Sequence, residues 1–146
     1  MNMHDLLLLG LRLTGVGQIF IAGLTSWLRR VIGWRADLEK LQPFNRCIVH
    51  TYSFYIQAIN AIFGVICLLQ PRELLAKSPL AADLTLLMAA YWLVRLLLGF
   101  LYYPTGDYTK LRPLYYWGNW AFVALFVAQV TALLGAFAWN LSFFAG

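Results

Sequence analysis

The chain has 146 residues, of which 62% are hydrophobic and only 12% are charged, with a formal net charge of +5 and a mean hydropathy of +0.69. Soluble domains carry about 25% charged residues, so this composition excludes a soluble protein and predicts an integral membrane protein. The positive charge does not indicate nucleic-acid binding, because the basic residues lie beside the aromatic residues that end the apolar stretches.

Four apolar stretches are long enough to cross the hydrocarbon core, which takes about 20 residues per helix. They cover residues 6–28, 50–69, 80–102 and 117–139, and the links between them are short. Short links favour antiparallel neighbours. The sequence therefore predicts an all-α membrane protein with a single domain over residues 1–146, built as four transmembrane helices in an antiparallel up-and-down bundle.

The loops after the first and third spans carry most of the positive charge. Their basic residues are Arg29, Arg30, Arg35, Lys40, Arg46, Lys110 and Arg112. The link between the second and third spans offers only Arg72 and Lys77. By the positive-inside rule, both basic loops are predicted to be cytoplasmic and both termini exported, in a bacterial inner membrane. No basic side chain precedes the first span, which argues against a cleavable signal.

The linker after the first span has apolar residues at helical spacing. Val31, Trp34, Leu38 and Leu41 recur at intervals of three and four, which predicts a short amphipathic helix on the cytoplasmic face. The alternative is a solvated linker with fortuitous spacing. The expected partners of its basic residues are anionic lipid headgroups, although a docking surface for a membrane protein would use the same residues.

The second span carries a line of polar and small residues within its apolar sequence. The members of this polar line are Arg46, His50, Ser53, Gln57, Asn60, Gly64 and Cys67. Steps of four and three place them on one side of a helix, and amides near the bilayer centre must face protein. One interpretation is a cleft that binds a headgroup, a quinone-like ring or a small solute, with Arg46 and His50 at its mouth. The other is hydrogen bonding between helices, without a ligand.

The other spans supply candidate partners for this line. Gln18 and Gln129 are expected at the same depth as Gln57. On the third span, Tyr91 and Arg95 share a face, and an inward Arg95 would anchor a phosphate or carboxylate. A long guanidinium side chain also snorkels to the interface, so two interpretations of Arg95 stay open.

The fourth span carries a stripe of small residues. Its members are Ala121, Ala124, Ala128, Thr131, Gly135 and Ala138. Small side chains at this spacing let two membrane helices approach closely. The stripe predicts helix packing, either within the bundle or against another subunit.

Catalytic and metal-binding patterns are not found in the sequence. Cys47 and Cys67 are separated by about 30 Å if they share one helix, which is too far for a disulfide. His4 and His50 are expected at opposite membrane faces, and no His, Cys, Asp or Glu spacing matches a metal site. We therefore expect no catalytic residues, no metal and no cofactor, and the sequence favours a non-enzymatic role.

Several short runs carry a resemblance. These are residues 41–46 (LQPFNR), 50–52 (HTY), 55–56 (YI) and 91–95 (YWLVR). They resemble runs in small bacterial four-helix membrane proteins without an assigned function, and the chain is similar in size and span count to small scaffolds that tether lipid-biosynthetic enzymes. The resemblance covers the middle third of the chain, implies the four-span fold and transfers no site residue.

Two functional hypotheses follow from these patterns. The first is an accessory or scaffold subunit of an inner-membrane complex, with a membrane-protein partner or a second copy packed on a small-residue helix face. The second is a lipid- or quinone-binding protein, as a carrier or an enzyme, with a polar cleft on the second and third spans. A channel formed by oligomers is a third and weaker hypothesis, because no ring of charged residues is available to line a pore.

Overall fold

A computed structural model of the chain describes residues 2–31, 33–102 and 113–142. Within these residues the structure is helical and contains no β-strand. The elements are α1 (Met3–Val31), α2 (Trp34–Glu39), α3 (Pro43–Leu69), a 3₁₀ turn (Glu73–Leu75), α4 (Pro79–Leu101) and α5 (Pro113–Leu141). The predicted basic loop with Lys110 and Arg112 lies outside the described residues.

Four of these helices are long and apolar enough to cross a membrane. They are α1, α3, α4 and α5, with lengths from 23 to 29 residues, which confirms the predicted four spans. Their outward surfaces expose large apolar side chains such as Phe54 (67%) and Leu101 (82%). A surface of this kind requires a lipid environment, because water would solvate it poorly.

Three of the spanning helices, α3, α4 and α5, begin at a proline. Pro43 opens α3 and Pro79 opens α4, at the position where the missing N–H has no helical partner in any case. Ser78 caps α4, and its Oγ accepts a hydrogen bond of 3.2 Å from the Ala81 N–H. Helix α3 starts seven residues before the apolar span predicted from residue 50, because residues 43–49, which include Asn45 and Arg46, continue the helix.

Neighbouring spanning helices run antiparallel. Gly15 of α1 lies beside Gly64 of α3, and Ser26 lies beside Gln57, so residue numbers rise in one helix as they fall in the other. Helix α1 packs against both α3 and α5, and α4 packs against α5. The backbones of α3 and α4 approach each other less closely, so α1 and α5 are the two helices that each pack closely against two other spanning helices.

Glycines on two faces of α1 allow these close approaches. A methyl group added at Gly15 would lie 2.8 Å from the Gly64 carbonyl oxygen, and one added at Gly17 would lie 2.9 Å from Gln129 Nε2. Both distances are shorter than van der Waals contact. The backbone of α1 therefore touches α3 through Gly15 and α5 through Gly17.

A row of aromatic rings crosses the middle of the bundle. Phe63 of α3 meets Tyr91 of α4 with ring centroids 5.6 Å apart, and Trp92 meets Phe126 of α5 at 5.2 Å. Tyr91 and Trp92 are themselves in edge contact at 5.4 Å. These rings bridge the wider space between α3 and α4, where the backbones are too far apart to pack directly.

The two ends of the bundle are built differently. We call the end with the C-terminus of α1, α2 and the N-terminus of α3 the basic end, and the other the opposite end. At the opposite end, the buried Asn140 side chain donates to the Leu74 carbonyl (2.8 Å) and accepts from the Lys77 N–H (3.0 Å). The His4 and Trp139 rings are 5.7 Å apart there, so the first turn of α1 and the last turn of α5 are neighbours.

At the basic end, the chain turns back through Gly33. Its φ of 71° is in the left-handed region that glycine adopts at least cost. The turn leads into α2, which has only six residues and is shorter than the predicted amphipathic segment. Leu38 of α2 is buried (5% exposed), and Trp34 is half-buried, so the helix lies against the end of the bundle by its apolar side.

Candidate functional site

The polar line of α3 divides into a buried half and an accessible half. Asn60, Gly64 and Cys67 are buried, as the prediction of an inward-facing line requires. Arg46, Ser53 and Gln57 are half-buried and His50 is exposed. The register with α1 explains the difference. Ser53 lies opposite Arg29 near the end of α1, so the first two turns of α3 extend beyond it.

Two polar side chains of the line, those of Gln57 and Asn60, are bonded to other spanning helices. Gln57 Nε2 donates to Ser26 Oγ at 2.9 Å, and Asn60 Oδ1 accepts a hydrogen bond of 2.8 Å from the Tyr91 hydroxyl. Tyr91 and Asn60 were both predicted site residues, and the structure brings these two together. These bonds hold α3 to α1 and to α4 near the middle of the bundle.

The Arg46 and His50 side chains lie at the basic end and not in the bundle interior. The Arg46 guanidinium donates to the Glu39 carbonyl at 3.1 Å and to the Leu41 carbonyl at 3.5 Å. It thereby holds the residues that follow α2 against the start of α3. His50 lines a surface cleft at this end instead of the polar centre.

Arg95 lies on α4 one turn beyond Tyr91, toward the basic end. The residue is exposed, whereas Tyr91 is half-buried. Arg95 is therefore placed at the edge of the space between α3 and α4, and not among the buried side chains.

The bundle centre contains polar groups whose hydrogen bonds are not satisfied. Gln18 of α1 and Gln129 of α5 are 0% and 1% exposed, and neither carboxamide nitrogen or oxygen has a partner. The indole N–H of the buried Trp92 is also unpaired. Gln57 does not join this group, because it bonds to Ser26. We call Gln18, Gln129 and Trp92 the central polar cluster. An unsatisfied buried polar group costs about 1–3 kcal/mol, so these unpaired groups require an explanation.

The small-residue stripe of α5 faces away from the bundle. Five of its six members are exposed, and these are Ala121, Ala124, Ala128, Thr131 and Ala138. Gly135 is half-buried, because a methyl group there would lie 3.1 Å from Leu7. The Thr131 hydroxyl donates to the Val127 carbonyl at 2.8 Å, so the stripe presents no unpaired polar group. Of the two predicted uses of the stripe, packing within the bundle applies only at Gly135.

The basic end carries an open cleft of about 500 Å³. Its lining residues are Arg29, Arg30, Gly33, Trp34, Arg35, Leu38 and His50. The Arg29 guanidinium lies 5.8 Å from the centre of the Trp34 ring and donates to the Ser53 carbonyl at 3.4 Å. We call this the basic cleft.

Three features of these sites are not evident from the sequence patterns. Trp92 has no signal that separates it from the other aromatic residues, yet it is fully buried at the bundle centre. Gly15 and Gly17 are distinguished from Gly23 only by the helices that they touch. Asn140 matches a glycosylation pattern with Ser142, but its side-chain nitrogen is bonded to the Leu74 carbonyl, which leaves no room for a glycan.

No group of three or more His, Cys, Asp or Glu side chains close enough to hold a metal occurs in the described part of the chain. Cys47 is exposed and Cys67 is buried. Comparisons with known proteins add no assignment, since no family model, curated protein or solved structure matches the chain. The resemblance to small four-helix membrane proteins therefore stays an expectation.

Proposed function

We propose that the protein is a non-enzymatic accessory or scaffold subunit of an inner-membrane complex, and that it binds a spanning helix of its partner through the small-residue stripe of α5. The observation that carries this proposal is the exposure of the stripe, with Ala124 and Ala128 at its centre. Within a bundle, such residues are expected at helix contacts. Here the contact surface is formed but the helix that would cover it belongs to another chain.

The shape of the α5 surface suits a helix. Trp120, Val127 and Leu134 are large and exposed (49%, 46% and 42%), and they alternate along α5 with the small members of the stripe. Large side chains beside small ones form a ridge and a groove, into which the ridge of a second helix packs. Close backbone approach over several turns then stabilises the pair by van der Waals contact.

The proposed orientation places the basic end in the cytoplasm of a bacterial cell and both chain termini on the exported side. Arg29, Arg30, Arg35, Lys40 and Arg46 all belong to the basic end, and the positive-inside rule supports this direction. Under this proposal, α2 is a cytoplasmic interfacial helix.

The docking proposal is tested by adding bulk to the stripe. In the full chain, Ala128→Leu is compared with Ala90→Leu, its matched control on an exposed position of α4. We expect the unmodified protein and the control to run in mild detergent as one stoichiometric complex, and the Ala128 variant to run alone. If the unmodified chain is monomeric at native expression, or if the Ala128 variant keeps its partner, the proposal is wrong. A complex of this chain with itself would replace the scaffold role by a homo-oligomer.

A second candidate is supported by the central polar cluster. The unpaired donors of Gln18, Gln129 and Trp92 match the carbonyl oxygens of a quinone ring or of a lipid ester, and the neighbouring aromatic rings would pack against either. On this alternative, the protein is a lipid- or quinone-binding carrier or enzyme, with its site between the spans.

This alternative is tested by extraction of the purified protein with organic solvent. A bound quinone or lipid at a fixed ratio to the chain, lost in Gln129→Leu but retained in Gln57→Leu, would favour the binder. Gln57 is the matched control because its amide is already bonded to Ser26. Equal ligand content in both variants would exclude the central polar cluster as the site.

A further inference from the structure

The basic cleft differs from the rest of the surface in its charge. Three arginines and His50 line it, and none of its lining residues is acidic. Helix α2 carries two acids, Asp37 and Glu39, and neither lines the cleft. Asp37 is bonded to Lys40 at 2.8 Å, and this carboxylate raises the pKa of Lys40 above its usual value of 10.5. The carboxylate is thus engaged outside the cleft. The guanidinium charges in the cleft lack a neutralising partner among its lining residues.

The cleft is held in shape by contacts outside its opening. Gly33 provides the left-handed turn (φ 71°), and the buried Leu38 packs α2 against the bundle. The Arg46 guanidinium donates hydrogen bonds to two carbonyls that follow Leu38 in the sequence. Arg29 is oriented by the Ser53 carbonyl at 3.4 Å and by the Trp34 ring. Arg29 is thus already ordered, which lowers the entropic cost of binding an anion at this site. Arg30 and Arg35 are exposed, so the N–H donors of their guanidinium groups remain accessible.

Apolar surface continues from the cleft toward the membrane. Trp27 of α1 and Tyr52 of α3 are exposed (57% and 65%), and each lies within one turn of a residue that lines the cleft. A ligand that fits this arrangement has an anionic head and an apolar body. A soluble phosphate would use only the basic part of the surface.

We propose that the basic cleft is a binding site for the phosphate headgroup of an anionic phospholipid, with one lipid per chain. Arginine forks bind phosphate oxygens bidentately, and the acyl chains lie along the apolar surface below Trp27 and Tyr52. The site is separate from the α5 stripe, so it goes beyond the scaffold role and does not depend on it.

The test uses the full chain in a neutral detergent and counts bound lipid by native mass spectrometry. Phosphatidic acid is the probe, and phosphatidylcholine with the same acyl chains is the neutral comparison. We expect one tightly bound phosphatidic acid per chain and no phosphatidylcholine at the same concentration. Equal binding of the two lipids would overturn the proposal. Displacement of the lipid by an equal concentration of inorganic phosphate would overturn the assignment to a lipid.

Variants that each remove one positive charge, inside or outside the cleft, distinguish binding at a specific site from general electrostatic attraction to the basic end. Arg35→Gln removes a charge inside the cleft, and Lys40→Gln removes the same charge five residues away, outside it. Since a basic residue at a membrane surface contributes about 1 kcal/mol, Arg35→Gln is expected to weaken binding roughly fivefold and Arg30→Gln/Arg35→Gln roughly 30-fold. Lys40→Gln is expected to change binding by less than about twofold. An equal loss in Arg35→Gln and Lys40→Gln would overturn the proposal.

The substitutions at Arg30, Arg35 and Lys40 are not expected to destabilise the fold, so a loss of lipid binding would not result from unfolding. Arg30, Arg35 and Lys40 are all exposed, and no hydrogen bond of the Arg30 or Arg35 side chain contributes to the described structure. The three variants should therefore unfold at the temperature of the unmodified protein, measured in the same detergent without lipid. If binding is unchanged in the folded double variant, the cleft is not the site.

Discussion

The opposite end and the basic end of the bundle use polar residues in contrasting ways. At the opposite end, Asn140 is fully buried, and its side-chain oxygen and nitrogen are bonded to the backbone of the α3–α4 connection. At the basic end, the Arg30 and Arg35 side chains are exposed at an open cleft. The polar atoms of Asn140 are therefore used in hydrogen bonds within the fold, whereas the Arg30 and Arg35 side chains remain accessible to a ligand.

Each end also turns through a residue with positive φ. Lys77 (53°) occupies this region at the opposite end, and Gly33 (71°) occupies it at the basic end. The Lys77 backbone is held there by the Asn140 oxygen. A methyl group added to Gly33 would touch no atom within 4 Å, and the Gly33 carbonyl accepts local hydrogen bonds from the Ala36 and Asp37 N–H groups. The positive-φ residue of the opposite end is therefore held by a side-chain hydrogen bond, whereas that of the basic end adopts its conformation because it is a glycine.

The two cysteines report on the two ends directly. Cys47 is exposed near the basic end, and Cys67 is buried (0%) near the opposite end. If the basic end is cytoplasmic, a membrane-impermeant maleimide should leave intact spheroplasts unlabelled and should label the chain fully in inverted vesicles. Cys47→Ser should abolish the labelling in inverted vesicles. Labelling of Cys47 in intact spheroplasts would reverse the proposed orientation.

Removal of the Asn140 side chain should make the opposite end the less stable one. Asn140→Leu removes the hydrogen bonds to the Lys77 N–H and to the buried Leu74 carbonyl, and an unsatisfied buried group costs about 1–3 kcal/mol. We expect this loss in the free energy of unfolding, measured by denaturant titration in mixed micelles. Ser142→Ala removes a neighbouring hydroxyl that bonds only to the Trp139 carbonyl and should have little effect. Equal effects of the two substitutions would contradict the role of Asn140.

Helix α1 runs from one end of the bundle to the other, and a pair of glycine substitutions tests its contact with α3. In Gly15→Ala the new methyl group meets the Gly64 carbonyl oxygen, and overpacking of this kind costs about 1–3 kcal/mol. Gly23→Ala is the matched control in the same helix, because it meets no atom within 4 Å. Thermal unfolding in detergent should separate the two variants. If both unfold alike, α1 and α3 do not cross at Gly15.

The positive-φ residues provide the smallest effect. Gly33→Ala places a β-carbon in a left-handed conformation, at a cost of about 1–2 kcal/mol. We expect faster amide hydrogen exchange confined to residues 34–39, because α2 would undock. Lys77→Gly removes the same kind of strain but also the contact of the ammonium with the Trp139 ring at 4.6 Å, so the two terms should nearly offset each other. Faster exchange at the opposite end in Lys77→Gly would show that this ring contact dominates.

The spans were predictable from the sequence because hydropathy and length alone determine which segments can cross a membrane. The first residue of α3 was not, because the helix that starts at Pro43 includes Asn45 and Arg46, which interrupt the apolar pattern from which a span is predicted. The buried position of Asn60 followed from its place on the polar line. Its bond to Tyr91 depends on the rotation of α4, which a sequence does not specify.

The candidate sites were predictable to a smaller extent. Ala128 belongs to a recognisable stripe, but whether the stripe lies inside or outside the bundle depends on which helices α5 packs against. Arg30 and Arg35 are recognisably basic, whereas the cleft between them exists only because Gly33 turns α2 back toward α1. Gln18 and Gln129 were expected near the bilayer centre, but only their packing shows that both amides lack a partner.

The exposed stripe of α5 is the central feature of the proposed function, and cross-linking in native membranes tests it most directly. In a Cys47→Ser/Cys67→Ala background, Ala128→Cys places one thiol on the stripe and Ala90→Cys places one on the exposed face of α4. After the thiol is labelled with a maleimide that carries a photoreactive benzophenone and the membranes are irradiated, we expect one cross-linked product with a single partner from Ala128→Cys and none from Ala90→Cys. No product at Ala128, or equal products at both positions, would contradict the proposed function.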